Sequence, residues 1–320
     1  MSDTRKKKVV VLGGGNGSAV SLVALKQNVD LFDISAVITM SDSGGSSGRL
    51  REEFRGLPTG DIMRATLALT KYDYPTLKKI FYSNRFSGAD QLDGHNLGNL
   101  FLILSEHYTG DFMSALRALE QAVEVVGHAY PATLEPTQLA AELTDGQIIH
   151  GEANLDRPKY DKNLKIKRIW LEPAGRIYEE AKETIIEADY ILLGPGSFYT
   201  SIIATVLVGG VREAISDSRA KMIFIAGDKI DRAGETGPEK LSDFVSVLQS
   251  YLPKPLDLVL FNNHETNPEQ QKYYESRGWM TYERDPENIR GVPVDGFDFE
   301  RDDGGLCAIK LGAKLKIILE

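Results

Sequence analysis

Short runs of consecutive apolar residues, each stopping at a cluster of glycines and small polar residues, set the rhythm of this chain. Residues 8–12 form a β-branched run that ends in Gly13-Gly14-Gly15-Asn16-Gly17, and an apolar stretch over 19–25 reads as a helix. Residues 34–40 and 188–193 are two more such runs with Gly/Ser-rich exits, and 222–226 and 256–261 are further strand candidates. Continuous apolar runs separated by helix-length segments predict a parallel sheet covered on both faces. The middle of the chain reads differently. Helices are predicted over 61–70, 75–82, 96–108 and 111–123, with Asp61 and Asp111 as good N-cap residues. After 124–133, a hairpin over 138–154 is centred on Asp145-Gly146, because Asp-Gly between alternating apolar positions favours a tight turn. Residues 165–171 form a further strand. The pattern therefore predicts an α/β fold: a doubly wound, mostly parallel core with a helical insertion and a small antiparallel β element. No repeat or long linker separates domains. Residues 1–320 are read as one domain, with a core over 8–70 and 165–281, an insertion over 71–164 and an extension over 282–320.

Composition narrows the function. The chain has 320 residues, of which 42% are apolar, enough to bury a substantial core. With 37 basic against 46 acidic residues, its net charge of -9 argues against sequence-independent nucleic-acid binding. Nucleotides remain open, since a local set of backbone N–H groups binds phosphate even in an acidic protein. The single Cys307 allows no intrachain disulfide and no cysteine-cluster metal site, which suits a reducing compartment. No apolar run approaches the roughly 20 residues that span a bilayer. A cytoplasmic protein without membrane insertion is expected.

The candidate chemistry lies in the strand exits. In an open α/β sheet the carboxyl ends of the strands form the ligand crevice. The first exit, Gly13, Gly14, Gly15, Asn16 and Gly17 followed by Ser18, lacks the Gly-Lys-Ser/Thr of a P-loop and fits a phosphate-binding turn at a helix start. The second carries Asp42, Ser43, Gly44, Gly45, Ser46, Ser47 and Arg49, a set suited to phosphate or a metal–phosphate unit. Asp61, beyond Leu57-Pro58-Thr59-Gly60, either caps its helix or joins Asp42 in holding Mg²⁺, which prefers one or two carboxylates plus phosphate oxygens. The third exit is Gly194, Pro195, Gly196 and Ser197. Between them, Gly94-His95-Asn96-Leu97-Gly98-Asn99 offers His95 as a general base or phosphate donor, or as a structural helix start, with Asn96 beside it. An ordinary NAD-dependent dehydrogenase would leave the Gly/Ser-rich second loop without a purpose.

Taken together, the run from Ile38 to Leu50, Leu57-Pro58-Thr59-Gly60-Asp61-Ile62, Gly94-His95-Asn96-Leu97-Gly98-Asn99-Leu100 and the run from Leu193 to Ile202 resemble the CofD-like superfamily, in its YvcK-type gluconeogenesis-factor branch. The resemblance implies a Rossmann-like three-layer α/β sandwich. It also implies one of two activities. The YvcK-type branch binds UDP-sugars, UDP-GlcNAc among them, and supports cell shape and cell-wall homeostasis on gluconeogenic carbon sources. The 2-phospho-L-lactate transferases move a phospholactyl group from a guanosine diphosphate donor to a deazaflavin hydroxyl with Mg²⁺, releasing GMP. For this chain the resemblance implies phosphate contacts from the three loops, metal or catalytic roles for Asp42 and Asp61, and nucleotide-sugar contacts from Tyr274 and Arg301. Ser43 stands where many members carry a second Asp. Gly234-Glu235-Thr236-Gly237 lacks the Asp of the family's longer run. A homodimer is compatible with this reading.

Overall fold

The computed structural model describes residues 5–54, 56–88 and 92–320. Its strands are β1 (Lys7–Gly13), β2 (Phe32–Ile38), β3 (His128–Pro131), β4 (Gln138–Leu143), β5 (Ile148–His150), β6 (Ile166–Glu172), β7 (Tyr190–Leu193), β8 (Lys221–Ile225), β9 (Ile230–Asp231), β10 (Leu258–Asn262), β11 (Trp279–Met280) and β12 (Val294–Phe297). Seven of them form one sheet in the order β12-β10-β8-β7-β1-β2-β3, with every pairing parallel. β5, β4 and β6 form a separate antiparallel sheet, and the hairpin turns where Asp145-Gly146 was expected to turn it. β3 arises within 71–164 and β12 within 282–320, and each closes one edge of the main sheet.

β1 shows why the sheet is covered on both sides. Val9 and Val11 enter one hydrophobic cluster and Val10 and Leu12 the other, and all four are fully or almost fully buried. Burying a side chain of that size stabilises by about 1.5–3 kcal/mol, so a two-faced strand must be apolar throughout. The first face is covered by α1 (Gly15–Lys26), by α3 (Gly60–Ala68) and by the C-terminal helix Ala308–Leu319. The second is covered by helices including Glu179–Ile186, Val211–Asp217 and Leu241–Tyr251. The result is a three-layer sandwich.

Three expectations change. The second strand exit is not loop throughout: its residues start helix α2 (Gly45–Phe54). Asp61 does not cap α3; Thr59 stands at the N-cap, and Asp61 is the second helical residue, in the first turn, ion-paired with Arg64. Asp111 does cap its helix, accepting from the Ser114 amide at 2.7 Å. The helix expected over 75–82 is α4 (Tyr74–Lys78) continued by a π-helical turn, Lys79–Ser83.

Candidate functional site

The strand order reverses between β1 and β7. From β1 the chain proceeds outward through β2 and β3, and on the other side through β7, β8, β10 and β12. Ligands of open α/β sheets bind at such a switch point, outside the carboxyl ends of the strands. Here the exits are the first and third glycine loops, and they touch. An ideal Cβ on Gly17 would lie 2.3 Å from the carbonyl oxygen of Pro195 and 2.5 Å from Cα of Gly196. Ser21 Oγ donates to the Gly194 carbonyl at 2.8 Å, and Thr205 Oγ1 donates to that of Gly13 at 3.2 Å. Over them opens a crevice of about 1020 Å³.

The second loop reaches the same crevice. A Cβ on Gly14 would clash with Asp61 Oδ2, and a Cβ on Gly60 would be 2.7 Å from Ser47 Oγ and 3.3 Å from Asp42 Oδ2. Gly15, Asn16, Gly17, Asp42, Gly44, Gly45, Ser46, Ser47, Asp61, Pro195, Gly196, Ser197 and Arg301 all line the crevice. Gly13, Gly14 and Gly194 lie beneath it as the turns that carry the loops.

Other expected residues lie elsewhere. Arg49 is exposed and donates to the Asp93 carbonyl at 3.0 Å, away from the crevice. Tyr274 is 4% exposed, and its hydroxyl sits 2.7 Å from Asp228 Oδ2 and 2.6 Å from Glu300 Oε1. Its neighbour Tyr273 lines the crevice in its place, with Trp279 at 5.9 Å between ring centroids. His95 stands behind Ser46. Asn99 Oδ1 accepts from Thr59, its Nδ2 donates to Ser46 Oγ at 3.0 Å, and the same Oγ lies at hydrogen-bond distance, 2.8 Å, from Nδ1 of His95. Burial, helped by Arg49, lowers its pKa and favours the neutral ring. Asn96 is fully buried and caps helix α5 (Leu97–Thr109) through the Asn99 amide.

The two helix starts at the switch point differ. No side chain caps α1 at Gly14. The helical segment after the third loop, Phe198–Ile203, is capped by Glu235, whose carboxylate accepts from the amides of Phe198, of Tyr199 at 3.1 Å and of Thr200 at 3.1 Å. Burial outweighs these hydrogen bonds and pushes Glu235 up to about 7. A ligand anion therefore finds free donors at α1, while a protein carboxylate already holds those at Phe198–Thr200.

Sequence reasoning missed several crevice residues. Ser43 Oγ accepts from the Ala153 amide at 3.1 Å and its own amide donates to Glu152 Oε2 at 3.3 Å, docking a short helix, Glu152–Asp156, beside the second loop. Glu152 and Asp156 thereby join Asp42 and Asp61 along one wall. Burial, then the charge of Asp42, pushes Glu152 up to about 8; burial, then Asp61, raises Asp42. Among the described residues, no three His, Cys, Asp or Glu side chains form a metal cage by themselves. The crevice is also lined by Lys78, Tyr82, Arg85, Lys229 and Arg277, beside the expected Arg301. β9 and β11 pair antiparallel and bring Trp279 beside Asp231, and Lys229 Nζ lies 3.3 Å from the Trp279 ring centroid. Apart from Arg301, none of these was marked in the sequence; Lys78, Tyr82 and Arg85 come with the insertion, and Lys229 and Arg277 flank the strands of the antiparallel ribbon.

Residues 9–297 match the family model described as 2-phospho-L-lactate transferase CofD. The chain is 34% identical over 293 residues to the gluconeogenesis factor of Bacillus subtilis, covering 91% of this chain and 90% of that one. It is 34% identical over 308 residues to the gluconeogenesis factor of Listeria innocua, covering 96% and 92%. A crystal structure of a Bacillus halodurans protein superposes with a TM-score of 0.88 at 33% identity, over 99% of this chain and all of that one. No described helix is long and apolar enough to cross a membrane.

Proposed function

Because the chain belongs to the family described as 2-phospho-L-lactate transferase CofD, we propose that its crevice binds a nucleoside diphosphate conjugate, a UDP-sugar such as UDP-GlcNAc in the first instance. The observation that carries this reading is the contact between Gly17 and Pro195, which brings two glycine loops together at the switch point beneath one crevice. The diphosphate would lie on the uncapped start of α1, with Ser46 and Ser47 as hydroxyl donors. The base would lie against Tyr273 and Trp279, whose ring faces stack on any nucleobase. The acidic wall suits the other end of the ligand. Asp42 and Asp61 would hold Mg²⁺ together with phosphate oxygens, the coordination that ion favours. Carboxyls whose ionisation burial and mutual repulsion oppose, as at Asp42 and Glu152, gain from a divalent cation.

The relatives' name, gluconeogenesis factor, supports placing this binding in the service of growth on gluconeogenic carbon; a cytoplasmic location and a role in cell shape and cell-wall homeostasis are part of the same proposal and rest on the family resemblance. Calorimetry with UDP-GlcNAc, UDP, GDP and uridine tests the reading. Diphosphates are expected to bind and uridine to bind far more weakly; equal affinity for uridine and UDP would refute it.

A second reading, phospholactyl transfer, is favoured by the Ser46–His95 hydrogen bond at the crevice wall. An acceptor hydroxyl would attack the phosphorus of the phospholactyl group, its proton passing to a base such as His95, and GMP would leave. Release of GMP from a lactyl-diphosphoguanosine donor plus deazaflavin tests it.

A further inference from the structure

The insertion does more than cover the sheet. α4 and its π-helical continuation send Lys78 and Tyr82, with Arg85 just beyond, into the crevice. Lys78 reaches across to the first glycine loop, where its ammonium donates to Asn16 Oδ1 at 3.0 Å. Among the described residues no carboxylate lies within ion-pair distance of it. Of the other crevice cations, Arg64 is paired with Asp61, Arg157 with Asp231 at 2.6 Å, Lys229 with Asp228 at 3.8 Å, and Arg301 with Asp303 at 3.2 Å; Arg85 donates to the Gly94 carbonyl, and Arg277 lies over the Tyr273 and Trp279 rings, away from the first glycine loop. Burial, then the charges of Arg64 and Arg301, lowers the pKa of Lys78. A half-buried ammonium in the field of two guanidiniums, with only the Tyr74 ring and Asn16 beside it, is electrostatically unfavourable until an anion arrives. That anion would meet the ammonium and the uncapped start of α1 at the same place, since Asn16 lies in the first turn of that helix.

We propose that Lys78 is the cation that receives the ligand's diphosphate opposite the first glycine loop, so that the insertion supplies one wall of the anion site. Its part is that of a point charge with rotatable donors, which suits phosphate oxygens. The proposal rests on the nucleoside-diphosphate reading above and adds to it a residue for which no motif exists.

The test measures calorimetric affinity for UDP, GDP and inorganic pyrophosphate, and ligand-free thermal stability, in the wild type, Lys78→Gln and Lys78→Arg. Lys78→Gln should weaken binding of all three by about tenfold or more and reduce the salt dependence of binding, the signature of a lost charge-assisted contact. Lys78→Arg should recover much of the affinity. The ligand-free Tm of Lys78→Gln should stay level or rise, because an uncompensated cation is removed; a merely structural lysine would lower it. Lys78→Gln binding within about twofold of the wild type at equal salt, or a loss of affinity matched by a fall in Tm, overturns the proposal. A wild type that binds none of the three probes overturns the nucleoside-diphosphate reading itself.

Discussion

Gly17 presses against the carbonyl of Pro195: a methyl group on it would come within 2.3 Å of that oxygen and 2.5 Å of Gly196 Cα. Both obstacles are backbone, so neither can swing aside. Gly17→Ala is predicted to push the first and third loops apart. It should destabilise the protein by about 1–3 kcal/mol, the usual cost of overpacking, and remove nucleoside diphosphate binding. Urea unfolding and calorimetry check both. Gly15 makes a useful contrast: a Cβ there would meet only Ser201 Oγ, at an ordinary 3.7 Å, but its φ of +65° strains any other residue by about 1–2 kcal/mol. Gly15→Val should therefore reduce binding while leaving the fold largely intact.

Base and phosphate contacts are separable. Tyr273 and Trp279 lie on the ribbon side of the crevice, and Lys78 lies on the insertion. Trp279→Ala should weaken UDP and GDP binding by about 1–3 kcal/mol, the worth of a stacked base, and leave inorganic pyrophosphate unaffected. Equal losses for the two kinds of ligand would place the base elsewhere.

Glu235 gives a pH signature. Its folded pKa of about 7 lies above the ordinary 4.5, because burial outweighs the three amide donors. The folded state then binds more protons than the unfolded state across that window. This carboxyl's contribution to stability therefore falls as pH rises from about 4.5 through 7. Glu235→Gln removes the titration. The variant's Tm relative to the wild type should climb between pH 5 and pH 8, as followed by thermal melts without ligand. Glu235→Ala leaves buried amides unpaired and should cost about 1–3 kcal/mol at any pH.

The acidic wall bears on the metal. If Asp42 and Asp61 hold Mg²⁺ with the ligand's phosphates, Asp42→Asn should abolish the gain in nucleoside diphosphate affinity that Mg²⁺ brings, and leave metal-free binding unchanged or stronger. Titrations with Mg²⁺ and with EDTA distinguish these outcomes.

The sheet was legible because β1, β7, β8 and β10 are buried on both faces and read as nearly unbroken apolar runs, and β2 is apolar apart from Asp33 and Ser35. Edge strands β3 and β12 were not, since four residues such as His128–Pro131 carry too little pattern. The glycine loops announced themselves, because positive φ and close backbone approach leave no other residue. Glu152, Lys78 and Trp279 did not. Each is an ordinary residue of a short helix or ribbon, brought to the crevice by long-range docking such as that of Ser43 on the Ala153 amide. Tyr274 illustrates the converse: its position in sequence is one residue from Tyr273, yet helix periodicity turns it into the core between Asp228 and Glu300.

The measurement that bears most directly on the account is a crystal structure of the protein with UDP-GlcNAc or GDP. The diphosphate should lie at the start of α1 between Gly15–Gly17 and Lys78, with the base against Tyr273 and Trp279. A nucleotide bound outside the crevice, or a diphosphate remote from the first glycine loop, would contradict it.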